Sequence, residues 1–373
     1  MKRPARPAAS GRRVWTPSSR SVRALIVGAG AVGRYLAARI ALAGHEVVLL
    51  ARPDTAPHFN ERGITLRVGA TSRTVPIMAI ASAQDYGGPA FELVVVAVKS
   101  YATLAVARLL AGMAASARSS VLSVQNGLGN EETLAAALGA DRIVAGALTV
   151  AARSLAETET IASKSGGLCL APIGGAPHNW IIAALADSGL RLRAVGDWRS
   201  LKWSKLCINL LANGVCAALD WTPSQVYADG TAFAIDRRCF LEAAAVMKRS
   251  GIAATALIDF PVPALMRLME SAPAGLLRRV LRARVGRARG GKLPSLLLDV
   301  RAGRRHLEID SLNGAVAARA VDQGRRAPAN AAVARVVQDI AGRSVSWSKY
   351  RGRPQALLAA VEEAAGRGGA ASS

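Results

Sequence analysis

The chain has 373 residues, which predicts two domains, and 51% of them are hydrophobic, enough for sizeable cores. The formal net charge of +23 is high, but the arginines are scattered and no basic motif is interleaved with aromatic residues. Nucleic acid is therefore not an expected partner, and no apolar run approaches the ~18 residues that a membrane helix needs.

The cysteines and the N-terminal segment bear on location. Cys169, Cys207, Cys216 and Cys239 show neither CxxC spacing nor pairing with the histidines, a pattern typical of reduced, buried thiols in a cytoplasmic protein. No metal site is expected.

Residues 1–22 contain Arg, Pro and Ser but no acidic residue and no apolar h-region, so they are not a secretory signal. We predict a disordered basic extension, although an organellar transit peptide has a similar composition.

From Val22 onward, short apolar strands alternate with helical segments. This alternation predicts an α/β fold, a Rossmann-type doubly wound parallel sheet that occupies residues 23–196. Less regular strands and a short helix near residue 181 complete the domain. The predicted strands are Arg23–Val27, Glu46–Ala51, Leu93–Val98, Val121–Val124, Ile143–Thr149, Thr158–Ala162 and Leu168–Ala171.

Strand signals disappear after Trp198. Long Ala, Leu and Val segments at helical period follow, interrupted by glycine and proline. We predict a mostly helical substrate and catalytic domain over residues 197–345, then a C-terminal helix and tail over 346–373. The predicted helices of the second domain are 200–219, 231–250, 294–302, 307–323 and 329–341.

A glycine-rich turn joins the first predicted strand to the first helix. It reads Gly28-Ala29-Gly30-Ala31-Val32-Gly33, and its strand–turn–helix context is the one that dinucleotide binding requires. Gly28 permits the tight turn, Gly30 lets the backbone approach a pyrophosphate, and Gly33 allows close packing of helix on strand. Phosphates bind at the helix N-terminus, where N–H groups favour anions. We expect all six residues to contact the cofactor.

The end of the second strand indicates which dinucleotide is bound. NAD-specific sites usually place Asp or Glu about 20 residues after the glycine motif. Here Arg52 stands 19 residues after Gly33, and no acidic residue lies between Glu46 and Asp54. A guanidinium binds the 2′-phosphate of NADP through two parallel hydrogen bonds, whereas a carboxylate repels it. NADPH/NADP is therefore the expected cofactor; the alternative is an ordinary surface arginine.

A row of polar residues recurs every four positions in the apolar segment 203–215. On one helix, Lys205, Asn209 and Asn213 fall on a single face. Because an unsatisfied buried polar group costs about 1–3 kcal/mol, we expect the row to line a polar cleft. A Lys ammonium stabilises the charge that hydride transfer leaves on a ketone oxygen and donates the proton. Lys205 is the candidate for this role, whereas Lys202 better fits a lysine reaching along the helix to water.

Together these motifs resemble the ketopantoate reductase family (2-dehydropantoate 2-reductase), within the 6-phosphogluconate-dehydrogenase-like superfamily. The resemblance covers roughly residues 23–342. It implies an NADPH-dependent reductase of a small 2-keto acid, above all ketopantoate. The segments that carry it are Ile26–Gly33, Val98-Lys99, Gln125–Gly129, Trp203–Leu206 with Asn209 and Asn213, Ser295 with Asp299, and Glu308–Asp310 with Asn313-Gly314.

The resemblance also implies roles for individual residues. Lys205 falls where the family has its catalytic lysine, and Glu308, matching its substrate-binding glutamate, is grouped with Lys205 as catalytic. The other matches are Asn209, Asn213 and Ser295 in the substrate site, Asn126 beside the nicotinamide, and Lys99 near the adenosine end of the cofactor.

Three departures from the family pattern leave the substrate open. Residues 214–217 read Gly-Val-Cys-Ala where the family typically has Pro-Leu-Thr-Ala, one extra residue lies within Arg301–Leu307, and the three leucines after Ser295 are more apolar than usual. All three are expected to border the substrate pocket. A related reductase of another 2-keto or hydroxy acid is therefore an alternative. A non-catalytic NADP-binding regulatory protein is a third, which the retained Lys205, Asn209 and Glu308 disfavour. We expect a monomer or homodimer.

Overall fold

The computed structural model describes residues 21–176, 178–288 and 293–366, with the side chains of 284–288 excepted. Nearly all of the predicted basic extension and the last seven residues lie outside the described part. The strands of that part are β1 (Arg23–Val27), β2 (Glu46–Leu50), β3 (Ile64–Val68), β4 (Thr71–Val75), β5 (Met78–Ile80), β6 (Leu93–Val96), β7 (Ser120–Ser123), β8 (Ile143–Leu148), β9 (Ala152–Ser154), β10 (Glu159–Ala162), β11 (Leu168–Pro172) and β12 (Leu192–Ala194).

The larger sheet confirms the predicted Rossmann-type architecture. Its strands lie in the order β12-β11-β8-β7-β6-β1-β2-β5, and neighbours pair in parallel except β8 with β11. The central strands β6, β7 and β8 are buried along their whole length, because helices cover both faces. The order reverses between β1 and β6, where such folds bind ligands at the carboxyl ends of the strands.

A second sheet, in the order β4-β3-β10-β9, was not predicted. Its strand β4 is polar and mostly exposed, so it lacks an apolar alternation. The predicted strand at Thr158–Ala162 exists as β10, but it pairs with β3 and β9 and does not extend the larger sheet. The second sheet packs against the first helix. The buried guanidinium of Arg34 on that helix donates hydrogen bonds to the carbonyls of Ala156 and Glu157 and to Ser154 Oγ.

The second half of the described chain is helical, as predicted. A five-residue π-helical turn, Asp310–Gly314, precedes α13. The α-helices are α1 (Ala31–Leu42), α2 (Ala56–Arg62), α3 (Thr103–Gly112), α4 (Asn130–Leu138), α5 (Asn179–Ala184), α6 (Trp198–Leu210), α7 (Gly214–Leu219), α8 (Pro223–Ala228), α9 (Gly230–Arg249), α10 (Val262–Ser271), α11 (Ala274–Ala288), α12 (Ser295–Arg301), α13 (Ala315–Asp322), α14 (Pro328–Gly342) and α15 (Pro354–Gly366).

The predicted continuous helix over 200–219 is wrong, because the chain breaks between α6 and α7. Ala212 has φ +48°, a conformation that non-glycine residues rarely adopt. Its N–H donates to the buried Oδ1 of Asp236 on α9, at 2.8 Å. The break thus depends on a contact from a distant helix, which local helical period does not reveal.

The hydrophobic core of the helical half extends onto the larger sheet. Helix α6 packs on β8 and β11, whose small, fully buried residues Ala145, Ala147, Cys169 and Ala171 belong to the same cluster as the helical core. The C-terminal helix α15 joins that cluster through its contact with α14. No helix in the described part combines the length and apolar character needed to cross a bilayer.

Candidate active site

The turns that follow β1, β2, β6 and β7 meet at the carboxyl edge of the larger sheet. They contain, in that order, the glycine motif, Arg52, Lys99 and Asn126. Because β1 lies between β2 and β6, Arg52 is on one side of the glycine motif, and Lys99 and Asn126 are on the other. The edge therefore offers an elongated groove with different chemistry at its two ends.

The glycine turn has the geometry of a phosphate cradle. Gly28 has φ +110°, and its N–H donates to Leu50 O at 3.1 Å. A Cβ at Gly33 would lie 1.8 Å from Gly28 O, so strand and helix touch there. A Cβ at Gly30 would meet no atom within 4 Å, which leaves open space at the N-terminus of α1. This space and the helix N–H groups fit the pyrophosphate of a dinucleotide.

Arg52 follows β2 at the adenosine side of the groove. Its side chain is 80% exposed, and Nε lies 3.7 Å from Asp54 Oδ1, a loose surface contact worth little. The guanidinium is thus available to an anionic group on the adenosine ribose.

A loop of the first domain touches the second domain beside α6. Asn209 Nδ2 on α6 donates to Asn126 Oδ1 at 3.1 Å. Leu128 N–H donates to Ser311 O at 3.0 Å, and a Cβ at Gly127 would lie 2.5 Å from the same carbonyl oxygen. The contact therefore brings together one residue expected beside the nicotinamide and one expected beside the substrate.

Lys99, expected near the adenosine end of the cofactor, contacts two carboxylates of the helical domain. It follows β6, on the other side of β1 from Arg52, and its Nζ binds Glu308 Oε2 at 2.6 Å and Asp299 Oδ2 at 3.2 Å. Burial lowers the pKa of Lys99, but the two carboxylates outweigh burial and raise that pKa above its usual value. Lys99 is thus a firmly protonated bridge between the two domains.

Lys205 and Asn209 lie on the half-buried face of α6, between residues that are almost all buried. Lys205 is close enough to Cys169 for its charge to act on that thiol. Burial raises the pKa of Cys169, and the charges of Arg193 and Lys205 oppose the increase. Two members of the predicted polar row therefore face the junction between the domains.

The third member of the row is placed differently. Asn213 is not on the same helix, because α6 ends at Leu210 and Asn213 caps α7. It is only 9% exposed, and its Oδ1 has no hydrogen-bond partner among the described residues. Ser295 is exposed at the start of α12, one turn before Asp299.

Sequence reasoning missed a buried ion pair next to this cluster. Lys202 was expected to reach along α6 to water, but its side chain is 1% exposed, with Nζ 2.8 Å from Glu131 Oε1. Breaking such a pair on one side costs about 3–5 kcal/mol. Glu131 lies just beyond the segment Gln125–Gly129, on which the resemblance partly rests, but nothing in the sequence pairs it with Lys202.

The first departure from the family pattern lies behind the cleft. Val215, Cys216 and Ala217 are at most 2% exposed, and Gly214 packs against Val333 and Asn313. The changed segment therefore forms part of the helical core, in contrast to the expectation that it borders the pocket. The extra residue within 301–307, by contrast, lies in an exposed turn.

Two family models match the chain in succession. The model described as Ketopantoate reductase PanE/ApbA matches residues 24–175, and its C-terminal counterpart matches residues 197–341. The chain belongs to the ketopantoate reductase family. It is an oxidoreductase of the class that acts on CH–OH groups, and this family uses NADPH.

Individual relatives agree with the family. The 2-dehydropantoate 2-reductase of Archaeoglobus fulgidus is 24% identical over 321 residues, 85% of this chain and 97% of the relative. That of Halobacterium salinarum is 27% identical over 315 residues, 82% of this chain and 95% of the relative.

Solved structures share the fold. A PanE/ApbA family ketopantoate reductase from Ralstonia eutropha JMP134 has a TM-score of 0.73 at 24% identity, and D-mandelate dehydrogenase with NADH and anilino(oxo)acetate has 0.74 at 19%. In both cases 86% of this chain and 99% of the other are covered.

Among the residues described here, no group of three or more His, Cys, Asp or Glu is arranged to hold a metal ion.

Two glycine variants separate cofactor binding from folding. Gly30→Ala adds a methyl group to open space, so the fold should keep its stability while the Kd for NADPH rises about tenfold. Gly33→Ala forces α1 away from Gly28 O and should cost about 1–3 kcal/mol of stability or more. Thermal unfolding and NADPH titration measure both effects. Unchanged NADPH affinity in Gly30→Ala would contradict the phosphate cradle.

Proposed function

We propose that this enzyme reduces 2-dehydropantoate (ketopantoate) to pantoate with NADPH, a step of pantothenate and coenzyme A biosynthesis. The observation that carries the proposal is the contact of Asn126 with Asn209, one turn of α6 from Lys205. It supports a geometry in which a nicotinamide beside Asn126 faces a substrate beside Lys205. Family membership supports the reaction class.

The residues of the cleft supply what the reduction requires. The bound nicotinamide supplies the hydride for the carbonyl carbon of the substrate. Lys205 stabilises the negative charge that develops on the carbonyl oxygen and donates the proton that completes the alcohol. The amides of Asn209 and Asn213 and the hydroxyl of Ser295 are neutral donors for the substrate carboxylate.

Glu308 is assigned to the substrate hydroxyl. Lys99 Nζ donates to one of its carboxylate oxygens at 2.6 Å, which fixes the orientation of the side chain. An ionised carboxylate accepts a hydrogen bond from the hydroxyl that distinguishes ketopantoate from simpler 2-keto acids. We place the enzyme in the cytoplasm, in keeping with four buried cysteines that form no disulfide, and assign it no oligomeric state beyond monomer or homodimer.

The alternative is a related reductase of another 2-keto acid. It is favoured by the changed core segment behind Asn213 and by the likeness to D-mandelate dehydrogenase, whose TM-score of 0.74 is as high as the 0.73 of a ketopantoate reductase. A non-catalytic NADP-binding protein is disfavoured, because Lys205, Asn209 and Glu308 are all retained at the cleft.

Arg52 should determine the preference for NADPH over NADH. Arg52→Asp replaces a donor to the 2′-phosphate by a repelling carboxylate, so NADPH binding should weaken by about 1–3 kcal/mol while NADH binding changes little. Titration of both cofactors into both proteins measures the effect. Equal affinities in the wild type, or an Arg52→Asp variant that still prefers NADPH, would refute the assignment.

Lys205→Ala should lower kcat by about 10²–10⁴-fold, the effect of removing a positioned proton donor, while NADPH still binds. Lys248→Ala, at an exposed lysine near the end of α9, is the matched control and should retain activity. Lys202 is unsuitable as the control because it is buried. The assignment fails if the two variants have the same kcat, or if Lys205→Ala no longer folds or binds NADPH.

Ketopantoate should exceed 2-ketoisovalerate in kcat/KM by about 10²-fold or more, because the site provides an acceptor for the hydroxyl. Glu308→Ala should remove most of this margin. Asp299→Asn, which also loosens Lys99 but keeps Glu308, should retain it. Steady-state NADPH oxidation with both acids and with phenylglyoxylate tests these statements. Equal rates with 2-ketoisovalerate, or faster reduction of the aromatic acid, would favour the alternative function.

A further inference from the structure

The buried lysine of α6 joins the two domains behind the cleft. The side chains of Lys202 and Glu131 are each 1% exposed, and Nζ lies 2.8 Å from Glu131 Oε1. The same ammonium group donates to Gln125 O at 2.5 Å. Lys202 belongs to the helical domain, whereas Glu131 and Gln125 belong to the Rossmann domain.

The surroundings of this pair argue against a role in stability alone. Glu131 Oε1 also accepts a hydrogen bond from Ser123 Oγ at 2.7 Å, but Oε2 is buried with no hydrogen-bond partner in the described part of the chain. An incompletely satisfied buried ion pair contributes little relative to apolar side chains of the same volume. The pair instead orients Lys202 so that its ammonium group donates a hydrogen bond to the carbonyl of Gln125.

Gln125, whose carbonyl accepts this bond, immediately precedes Asn126. Two further hydrogen bonds fix the same turn, since Asn126 O accepts from Ser100 Oγ and from Asn130 Nδ2, both at 2.9 Å. The turn is therefore held from the Rossmann domain on one side and by Lys202 on the other.

Helix α6 contacts this turn at two points. Lys202 binds Gln125, and Asn209, seven residues later, binds Asn126. At 1.5 Å per residue the two attachment points are about 10 Å apart along the helix axis. Two separated bonds oppose both rotation and sliding of α6 against the turn. Lys205 lies between them.

We propose that Lys202 and Glu131 are positioning residues for the reduction. The pair holds the turn of Asn126 and the catalytic helix in one register, so that Lys205 and the nicotinamide end of the cofactor face the same carbonyl group. Its effect is confined to the nicotinamide half of the groove, because the glycine motif and Arg52 lie on other turns. The proposal rests on the proposed function only for its kinetic part.

The test uses a double variant, Lys202→Met with Glu131→Gln, which removes both charges and so leaves no unpaired charge in the core. It should fold, yet Gln125 O loses its donor. We expect the Kd for NADPH to rise about tenfold and kcat to fall 10- to 100-fold. The Kd for 2′-phospho-ADP-ribose, which lacks the nicotinamide, should stay within twofold of wild type. Calorimetric titration measures both ligands.

The matched control is the neighbouring ion pair of Glu132 and Arg319. It also joins α4 to the helical domain, at 3.0 Å, but both side chains are nearly half exposed. Arg319→Met with Glu132→Gln should bind both ligands and turn over like the wild type. Should the Lys202 double variant not fold, Glu131→Gln alone is nearly isosteric and should change NADPH affinity in the same direction, about threefold.

The outcomes are distinct. If the folded double variant keeps the NADPH affinity and the kcat of the wild type, the pair is merely structural. If it loses affinity for NADPH and for 2′-phospho-ADP-ribose equally, the Rossmann domain as a whole is damaged. Either result overturns the proposal. If the wild type reduces none of the 2-keto acids, the proposed function fails, while the comparison of the two ligands still decides the role of the pair.

Discussion

The packing of α6 on the sheet is the contact on which the site depends. Four small, fully buried residues of β8 and β11 allow a helix of the second domain to lie directly on a strand pair of the first. Larger side chains there would lift the helix and widen the cleft. Since Lys205 and Asn209 project from α6, their distance from the cofactor groove is set by side chains that take no part in the chemistry.

Each domain contributes only part of the candidate site. The Rossmann domain provides the glycine turn, Arg52 and Asn126, and the helical domain provides Lys205, Asn209 and Glu308. Lys99 crosses between them and neutralises part of the negative charge of Asp299 and Glu308. In the proposed function, the site thus consists of a cofactor-binding half and a reacting half, and Lys99 lies where the two meet.

The sequence predicted the features that local patterns determine. Uniformly apolar strands and the glycine turn were read correctly, because their residue types admit few other structures. The polar strand β4 was missed, since its burial partner, α1, is remote in the chain. The break before Asn213 was missed for a similar reason: the segment keeps helical period, and a carboxylate from α9 stabilises the strained residue Ala212. In the sequence, Lys202 looks like a lysine at the surface of a helix. Only the fold brings it next to Glu131 in the protein interior.

The second sheet holds the charged side chain of Arg34 near the N-terminus of α1. Arg34 lies one turn into α1, and its guanidinium donates hydrogen bonds to carbonyl and hydroxyl oxygens of the second sheet and its turn. Burial lowers the pKa of Arg34 and the charge of Glu157 opposes this, but an arginine remains cationic at physiological pH. A permanent charge in a medium of low dielectric acts over longer range than one in water. By holding Arg34 in place, the small sheet keeps a fixed positive charge near the N-terminus of α1, the helix end expected to bind the cofactor phosphates.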